Sequence, residues 1–283
     1  MKDYIKLIRL KHSIKNLLIF LPLFFSGLIF NWEYALQTFY GFICFTLIAC
    51  CIYIINDIKD YDLDKNHPIK KNRPIASGRI SIKQAIIYFL CIFIIANILI
   101  WAIKMPTKSI ILLYVYLVAN LGYSFKLKNI PLLDIAILVL GFIIRLMFGA
   151  SLLNIQVSNW LLLTVIAISF YMGLGKRRNE IGTNTRKVLK YYNKEFLDKN
   201  MYMLLSCAIV FYSLWTIDAN VALETNNMLV WTIPMIIILS MRYSMDIEKD
   251  VEADPVEVIT SDKYLIILTL ITAISIFSII YLF

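Results

Sequence analysis

Asn56-Asp57-Ile58-Lys59-Asp60-Tyr61-Asp62-Leu63-Asp64 follows the apolar run Phe42 to Ile55 and leads into the basic stretch Lys70-Lys71-Asn72-Arg73-Pro74. Acids at the mouth of an apolar segment govern the reading of the whole chain. Asn56, Asp60 and Asp64 recur at i, i+4 and i+8, which puts them on one face if the helix continues. Asp57 falls roughly a quarter-turn off that face, where it is either a supporting residue or solvated. Oxygen ligands stacked beside a cationic rim suit Mg²⁺ and a phosphate-bearing substrate. Carboxylates near a bilayer are costly and mark function. A solvated acidic loop between two spans is the plainer alternative.

Outward from this stretch, the chain is 60% hydrophobic over 283 residues, with a mean hydropathy of +0.74. That exceeds the apolar content of a soluble domain and makes this an integral membrane protein. The apolar runs recur without a long polar interval, so residues 1–283 read as one transmembrane domain. The first run has no small-residue cleavage site and precedes many others, so it reads as a span and not a cleaved signal. A span needs about 20 mostly apolar residues. Segments 14–30, 38–57, 81–103, 108–125, 131–152, 158–175, 202–218, 228–245 and 264–282 qualify. The expected fold is therefore an all-α polytopic bundle of nine transmembrane helices. All five cysteines lie in apolar runs without metal-ligand spacing, which argues against a disulfide framework.

The net charge of +9 is unevenly spread. Lysine and arginine crowd residues 1–16 and the loops 57–81, 126–130, 176–201 and 243–263, while the alternate connections hold only Lys104 and Lys108. The positive-inside rule then places the N-terminus and these loops in the cytoplasm of a multi-pass protein of the cell membrane. No arginine-rich arm or soluble nucleic-acid module is present, so lipid headgroups and phosphate substrates remain as partners of this charge.

Candidate site residues lie in those loops and at their rims. Arg73 can grip a phosphate bidentately, and Pro74 and Gly78 imply a shaped loop. His67 reads as a loop residue rather than a base. Tyr123, Lys126 and Lys128 close the fourth span as interface anchors or as phosphate ligands. Asp134 and Arg145 lie in the fifth span about three turns apart, so they share a face. An arginine at that depth needs a partner. A structural ion pair, with Asp134 among the candidates, and a place in the substrate cavity would both supply one. Lys176, Arg177 and Glu180 end the sixth span as a phosphate clamp or a plain positive-inside stop. Lys15 and Asn16 enter the first span at the same face. Asp246, Asp250, Asp254 and Glu257 form either a second metal site or a solvated loop.

With these residues in view, the chain resembles the UbiA-type intramembrane prenyltransferase superfamily, and within it the decaprenyl-phosphate phosphoribosyltransferase branch. The likeness rests on Ile14-Lys15-Asn16, the Asn56–Asp64 motif, Asn72-Arg73-Pro74-Ile75-Ala76-Ser77-Gly78, Tyr123-Ser124 with Lys126 and Lys128, and Pro131-x-x-Asp134. It extends through Gly141-Phe142-x-x-Arg145, Gly175-Lys176-Arg177-x-x-Glu180 and Arg242-Tyr243-x-x-Asp246.

The resemblance implies transfer of 5-phosphoribose from phosphoribosyl pyrophosphate to a polyprenyl phosphate, as in cell-envelope biosynthesis. Asn56, Asp57, Asp60 and Asp64 would hold Mg²⁺, and Asp60, Asp64 and Lys176 would be catalytic. Lys15, Asn16, Arg73, Tyr123, Lys126, Lys128, Asp134, Arg145, Arg177 and Glu180 would bind substrate. Aromatic prenyltransferases of the superfamily carry a second Asp-x-x-x-Asp pair after the sixth helix, where this chain has Lys176-Arg177-Arg178-Asn179-Glu180. That departure disfavours the alternative, prenyl transfer from a prenyl diphosphate to an aromatic acceptor. A transporter is disfavoured because the polar groups gather on one membrane face. No dominant small-residue dimer motif is present, so an oligomer remains open.

Overall fold

The computed structural model describes residues 2–67, 70–182, 186–248, 258 and 261–282. Helix α1 (Lys2–Leu7) is followed by a 3-10 helix, Leu10–Phe20, and by α2 (Leu21–Phe25). Then come α3 (Trp32–Lys59), α4 (Tyr61–Lys65), α5 (Ile82–Ala102), α6 (Thr107–Phe125) and α7 (Leu133–Leu153). The order continues with α8 (Asn159–Glu180), α9 (Lys194–Thr216), α10 (Ala219–Glu224), α11 (Ile233–Ile247) and α12 (Lys263–Tyr281). No strand occurs among the described residues.

Local sequence sets many of these boundaries. Asn31 opens α3 by accepting from the amides of Glu33 and Tyr34 at 3.1 and 3.4 Å. Ser81 and Gln84 form a reciprocal capping box at the start of α5. Ser158, Asn193 and Asp262 cap α8, α9 and α12 with their side chains.

Seven helical segments are long and apolar enough to cross a membrane, so the protein is a multi-pass membrane protein: α3, α5, α6, α7, α8, Met228–Ile247 and α12. The two other expected segments are helical with different character. Segment 14–30 is divided between the 3-10 helix and α2, which ends at Phe25. Pro22 lies in the first turn of α2 and lacks the amide that would continue an α-helical ladder from upstream. Residues 202–216 of segment 202–218 lie inside α9, whose first turns carry Lys194, Glu195, Asp198 and Lys199.

The chain forms two compact units, Met1–Leu127 with Ile144–Gln156, and Lys128–Ile143 with Val157–Phe283. Helix α7 contributes its first half to the second unit and its second half to the first. In the first unit α3 packs against α5, α6 and the 3-10 helix. Phe45 lies at its centre, with ring centroids 4.6 Å from Tyr116 and 5.2 Å from Phe148. A neighbouring apolar cluster joins Leu7, Cys51, Ile54, Ile75, Ile80, Ala85 and Ile92. It thereby fastens the loop after α4 to the ends of α1, α3 and α5. Helix α5 buries only Ala85, Ile92, Ala96 and Ile100, leaving a broad apolar exterior suited to lipid. In the second unit α8 lies along α9, and α11 contacts both α9 and α12. Tyr171, Leu174, Leu197, Met201, Tyr243 and Leu265 belong to its core.

Gly149 permits a close helix approach in the first unit: a Cβ there would stand 2.1 Å from the Ile19 carbonyl oxygen. Backbone cannot yield as a flexible side chain can. Gly149→Ala is expected to destabilise the protein by about 1–3 kcal/mol, the usual range for overpacking. Thermal unfolding in detergent measures this, and an unchanged midpoint would contradict the contact.

Candidate active site

Helix α3 stops at Lys59, and Asp60 caps it with φ −86° and ψ 9°. The i+4 ladder nevertheless runs through the break. The Asp60 amide donates to the Asn56 carbonyl at 2.9 Å, and the Asp64 amide donates to the Asp60 carbonyl at 2.8 Å. The expected register is kept across the break. Asp57 and Asp64 are 2% and 4% exposed, while Asp60 is half-buried.

These two carboxylates converge on one guanidinium. Arg73 Nη1 donates to Asp64 Oδ2 at 2.5 Å and to Asp57 Oδ1 at 3.3 Å. Arg9 also donates to Asp57 Oδ1, and its guanidinium stands 5.6 Å from the Tyr53 ring centre. Arg73 is delivered by a shaped loop. The Ser77 amide bonds the Arg73 carbonyl, the Ile80 amide bonds the Pro74 carbonyl, and Gly78 adopts φ 75°. That conformation favours glycine. Ile75 and Ile80 are almost wholly buried, so the loop is anchored on both sides of its turn.

The end of α6 is tied to the same region. The Ser124 hydroxyl donates to Asn56 Oδ1, and Lys59 donates to the Ser124 carbonyl. Tyr123 and Lys126 flank Ser124 in sequence, and Lys128 follows in a 3-10 turn. Among the described residues no group of three or more His, Cys, Asp or Glu side chains is arranged to hold a metal ion. Mg²⁺ is commonly held by one or two carboxylates that share it with substrate phosphates. The Asp57–Asp64 pair fits that donor chemistry, because both oxygens already draw a single cationic nitrogen.

Arg145 is 5% exposed and has two polar partners in the same unit, Asn16 and Tyr116, among others. It donates to Asn16 Oδ1 and to the Tyr116 hydroxyl, each at 2.8 Å. Its guanidinium also lies 4.8 and 5.2 Å from the ring centres of Tyr116 and Phe45. Asn16 donates in turn to Thr46 Oγ1 at 3.0 Å. Lys15, next to Asn16 on the 3-10 helix, is half-buried.

In the second unit Asp134 and Arg177 are both fully buried and form an ion pair at 2.5 Å. Arg177 also reaches Glu180 at 2.7 Å, and Arg186 reaches the same carboxylate at 3.2 Å. Asp134 accepts from the Tyr192 hydroxyl at 2.6 Å, while that hydroxyl accepts from the Leu132 amide at 2.7 Å. Burial and the Asp134 hydrogen bond push the Tyr192 phenol up to about 12, so it keeps its proton. Lys176, one residue before Arg177, is half-buried. The partners of Asp134 in this unit are thus Arg177 and Tyr192.

Arg9, Tyr116 and Tyr192 are functional candidates that motif reading passed over. Arg9 counted only toward loop charge, and Tyr116 carries no signal in an apolar helix. Tyr192 carries no local signal in the polar loop after the sixth span. Asp246 lies 4.0 Å from Arg242, which also bonds Asp262 at 2.6 Å. Asp250, Asp254 and Glu257, the rest of the expected acidic patch, lie outside the described residues.

Residues 17–179 match the model of the UbiA prenyltransferase family. The chain is 31% identical to a decaprenyl-phosphate phosphoribosyltransferase of Mycolicibacterium smegmatis, over 94% of this chain and 88% of the relative. It is 32% identical to the enzyme of that name from Corynebacterium glutamicum, over 94% and 83%. A UbiA homologue of Archaeoglobus fulgidus solved with DMAPP and Mg²⁺ has a similar fold. The TM-score is 0.71 at 16% identity, covering 99% of this chain and 100% of the other.

Removing one member of a buried ion pair costs about 3–5 kcal/mol, whereas losing a single buried hydrogen bond costs about 1–3 kcal/mol. Asp134→Ala should therefore destabilise more than Tyr192→Phe. Unfolding midpoints in detergent give the order, and equal losses would contradict the pair's dominance.

Proposed function

This chain belongs to the UbiA prenyltransferase family, and we propose that it transfers 5-phosphoribose from phosphoribosyl pyrophosphate to a polyprenyl phosphate of the decaprenyl type. Pyrophosphate is the other product. The names of the two bacterial relatives support this choice of transferred group and acceptor. The observation that carries it is the convergence of Asp57 and Asp64 on Arg73.

Asp57 and Asp64, with Asn56 and Asp60 beside them, are the oxygen donors for Mg²⁺. The bound ion supplies charge stabilisation to the departing pyrophosphate. Arg73 presents a planar fork to diphosphate oxygens, a geometry that lysine lacks. Tyr123, Lys126 and Lys128 add donors beside Ser124, whose bonds hold the end of α6 against the acidic motif. Lys15 contributes a further cation. Asn16 and Arg145 act as positioning residues, since their polar groups engage one another and Tyr116.

In the second unit Lys176 contacts substrate phosphate. Arg177, sealed between Asp134 and Glu180, positions the end of α8 that carries it. The acceptor phosphate is an anion at neutral pH, so no general base is needed. We further infer a single membrane domain with nine crossings, a cytoplasmic N-terminus and a plasma-membrane location with the chemistry facing the cytoplasm. The loop charges support that orientation.

A second reading, prenyl transfer from a prenyl diphosphate, is favoured by the DMAPP and Mg²⁺ in the similar archaeal structure. One assay separates the two. The full chain in detergent is incubated with radiolabelled phosphoribosyl pyrophosphate and a polyprenyl phosphate, and label should appear in the lipid phase. Asp57→Asn and Asp64→Asn should each lower the rate by about a hundredfold, or roughly 2.7 kcal/mol of barrier. Transfer occurring only with a prenyl diphosphate and an aromatic acceptor would establish the second reading instead.

A further inference from the structure

Two buried carboxylates and two partly exposed guanidiniums meet at the end of α3. Asp57 and Asp64 have side chains 2% and 6% exposed, while Arg9 and Arg73 are 22% and 26% exposed. The acids are fixed by successive helices, but both arginines have an open side through which their heads can move. Arg73 differs from Arg9 in bridging the two acids through one nitrogen. It thus stands on the same oxygen atoms that a divalent cation would use.

Charge then decides what happens when such a cation arrives. A divalent ion added to the carboxylates of Asp57, Asp60 and Asp64 and to the two guanidiniums leaves a net charge of about +1 in a partly buried site, which the low dielectric penalises. Moving Arg73 away relieves that excess, provided the guanidinium gains another anionic partner. A diphosphate offers one, since an arginine fork binds phosphate oxygens bidentately. The loop permits such a change without unfolding. Ile75 and Ile80 anchor its backbone, and only the long Arg73 side chain has to turn.

We propose that Arg73 is an exchangeable counter-ion that competes with the divalent metal for Asp57 and Asp64, and that a diphosphate resolves the competition by drawing Arg73 onto its own oxygens. Metal and diphosphate thereby bind cooperatively, and metal alone binds weakly. This proposal rests on the reading of Asp57 and Asp64 as metal ligands.

Mn²⁺, a spectroscopically visible substitute for Mg²⁺, tests it on the full chain in detergent without any phosphate compound. The unbound ion is followed by electron paramagnetic resonance. Arg73→Gln should bind Mn²⁺ at least tenfold more tightly than the native chain, and adding Asp64→Asn should abolish the gain. Arg73→Met, which keeps an unbranched stem but carries no charge, serves if the glutamine variant fails to fold. It should bind at least threefold more tightly than native protein. Native binding as tight as in the folded Arg73 variants overturns the exchange while sparing the metal site. No Mn²⁺ binding by any of these proteins, with or without added pyrophosphate, overturns the metal reading and the exchange together.

Discussion

Burying an acid beside a membrane costs several kcal/mol unless a cation accompanies it, and α3 ends with two such acids. Asp57 and Asp64 can be buried because Arg73 bridges them and Arg9 supports the first. The need for those arginines reaches far along the chain. Arg9 occupies the left-handed region at φ 50° between α1 and the 3-10 helix. The loop after α4 is pinned by Ile75 and Ile80, and its turn is closed by Gly78. Both features bring a guanidinium to the same carboxylates. The electrostatic balance that stabilises this end of the unit is also what a metal and a diphosphate would have to replace.

Buried arginines are accommodated here in two ways. Arg177 is held by the carboxylates of Asp134 and Glu180 and is shut away from solvent. Arg145 instead has a side-chain amide, a phenol and two aromatic faces. The aromatic contacts supply attraction through the ring quadrupoles. Because Arg145 bonds Asn16 and Tyr116, it joins the 3-10 helix to α6 and α7. Such a cross-tie suits a segment in which Pro22 interrupts α-helical bonding.

Periodicity and charge made much of this legible in the sequence. Long apolar runs became α3, α5, α6, α7, α8 and α12, because membrane-length hydrophobicity is a property of consecutive residues. The acidic motif was readable for the same reason, since helical spacing puts Asn56, Asp60 and Asp64 in register. The turn at Asp60 was not readable. The depth of each acid was hidden too: Asp57 is buried and Asp60 half-buried. Partners distant in sequence were hidden as well. Nothing local distinguishes Arg9 from the neighbouring lysines, or joins Asp134 to Arg177 forty-three residues later. The proposed substrates follow from family resemblance, since neither spacing nor charge specifies them.

The central physical claim is that the acids at the end of α3 and the loop arginine behave as one unit. A double-mutant cycle on unfolding free energy, built from Asp64→Asn, Arg73→Gln and their combination in detergent-solubilised protein, tests it most directly. Groups sharing an ion pair show coupling of about 0.5–3 kcal/mol. The double variant should lose less stability than the sum of the two single losses, by at least about 1 kcal/mol. Losses that add to within about 0.3 kcal/mol would mean that Asp64 and Arg73 act independently, contradicting the account.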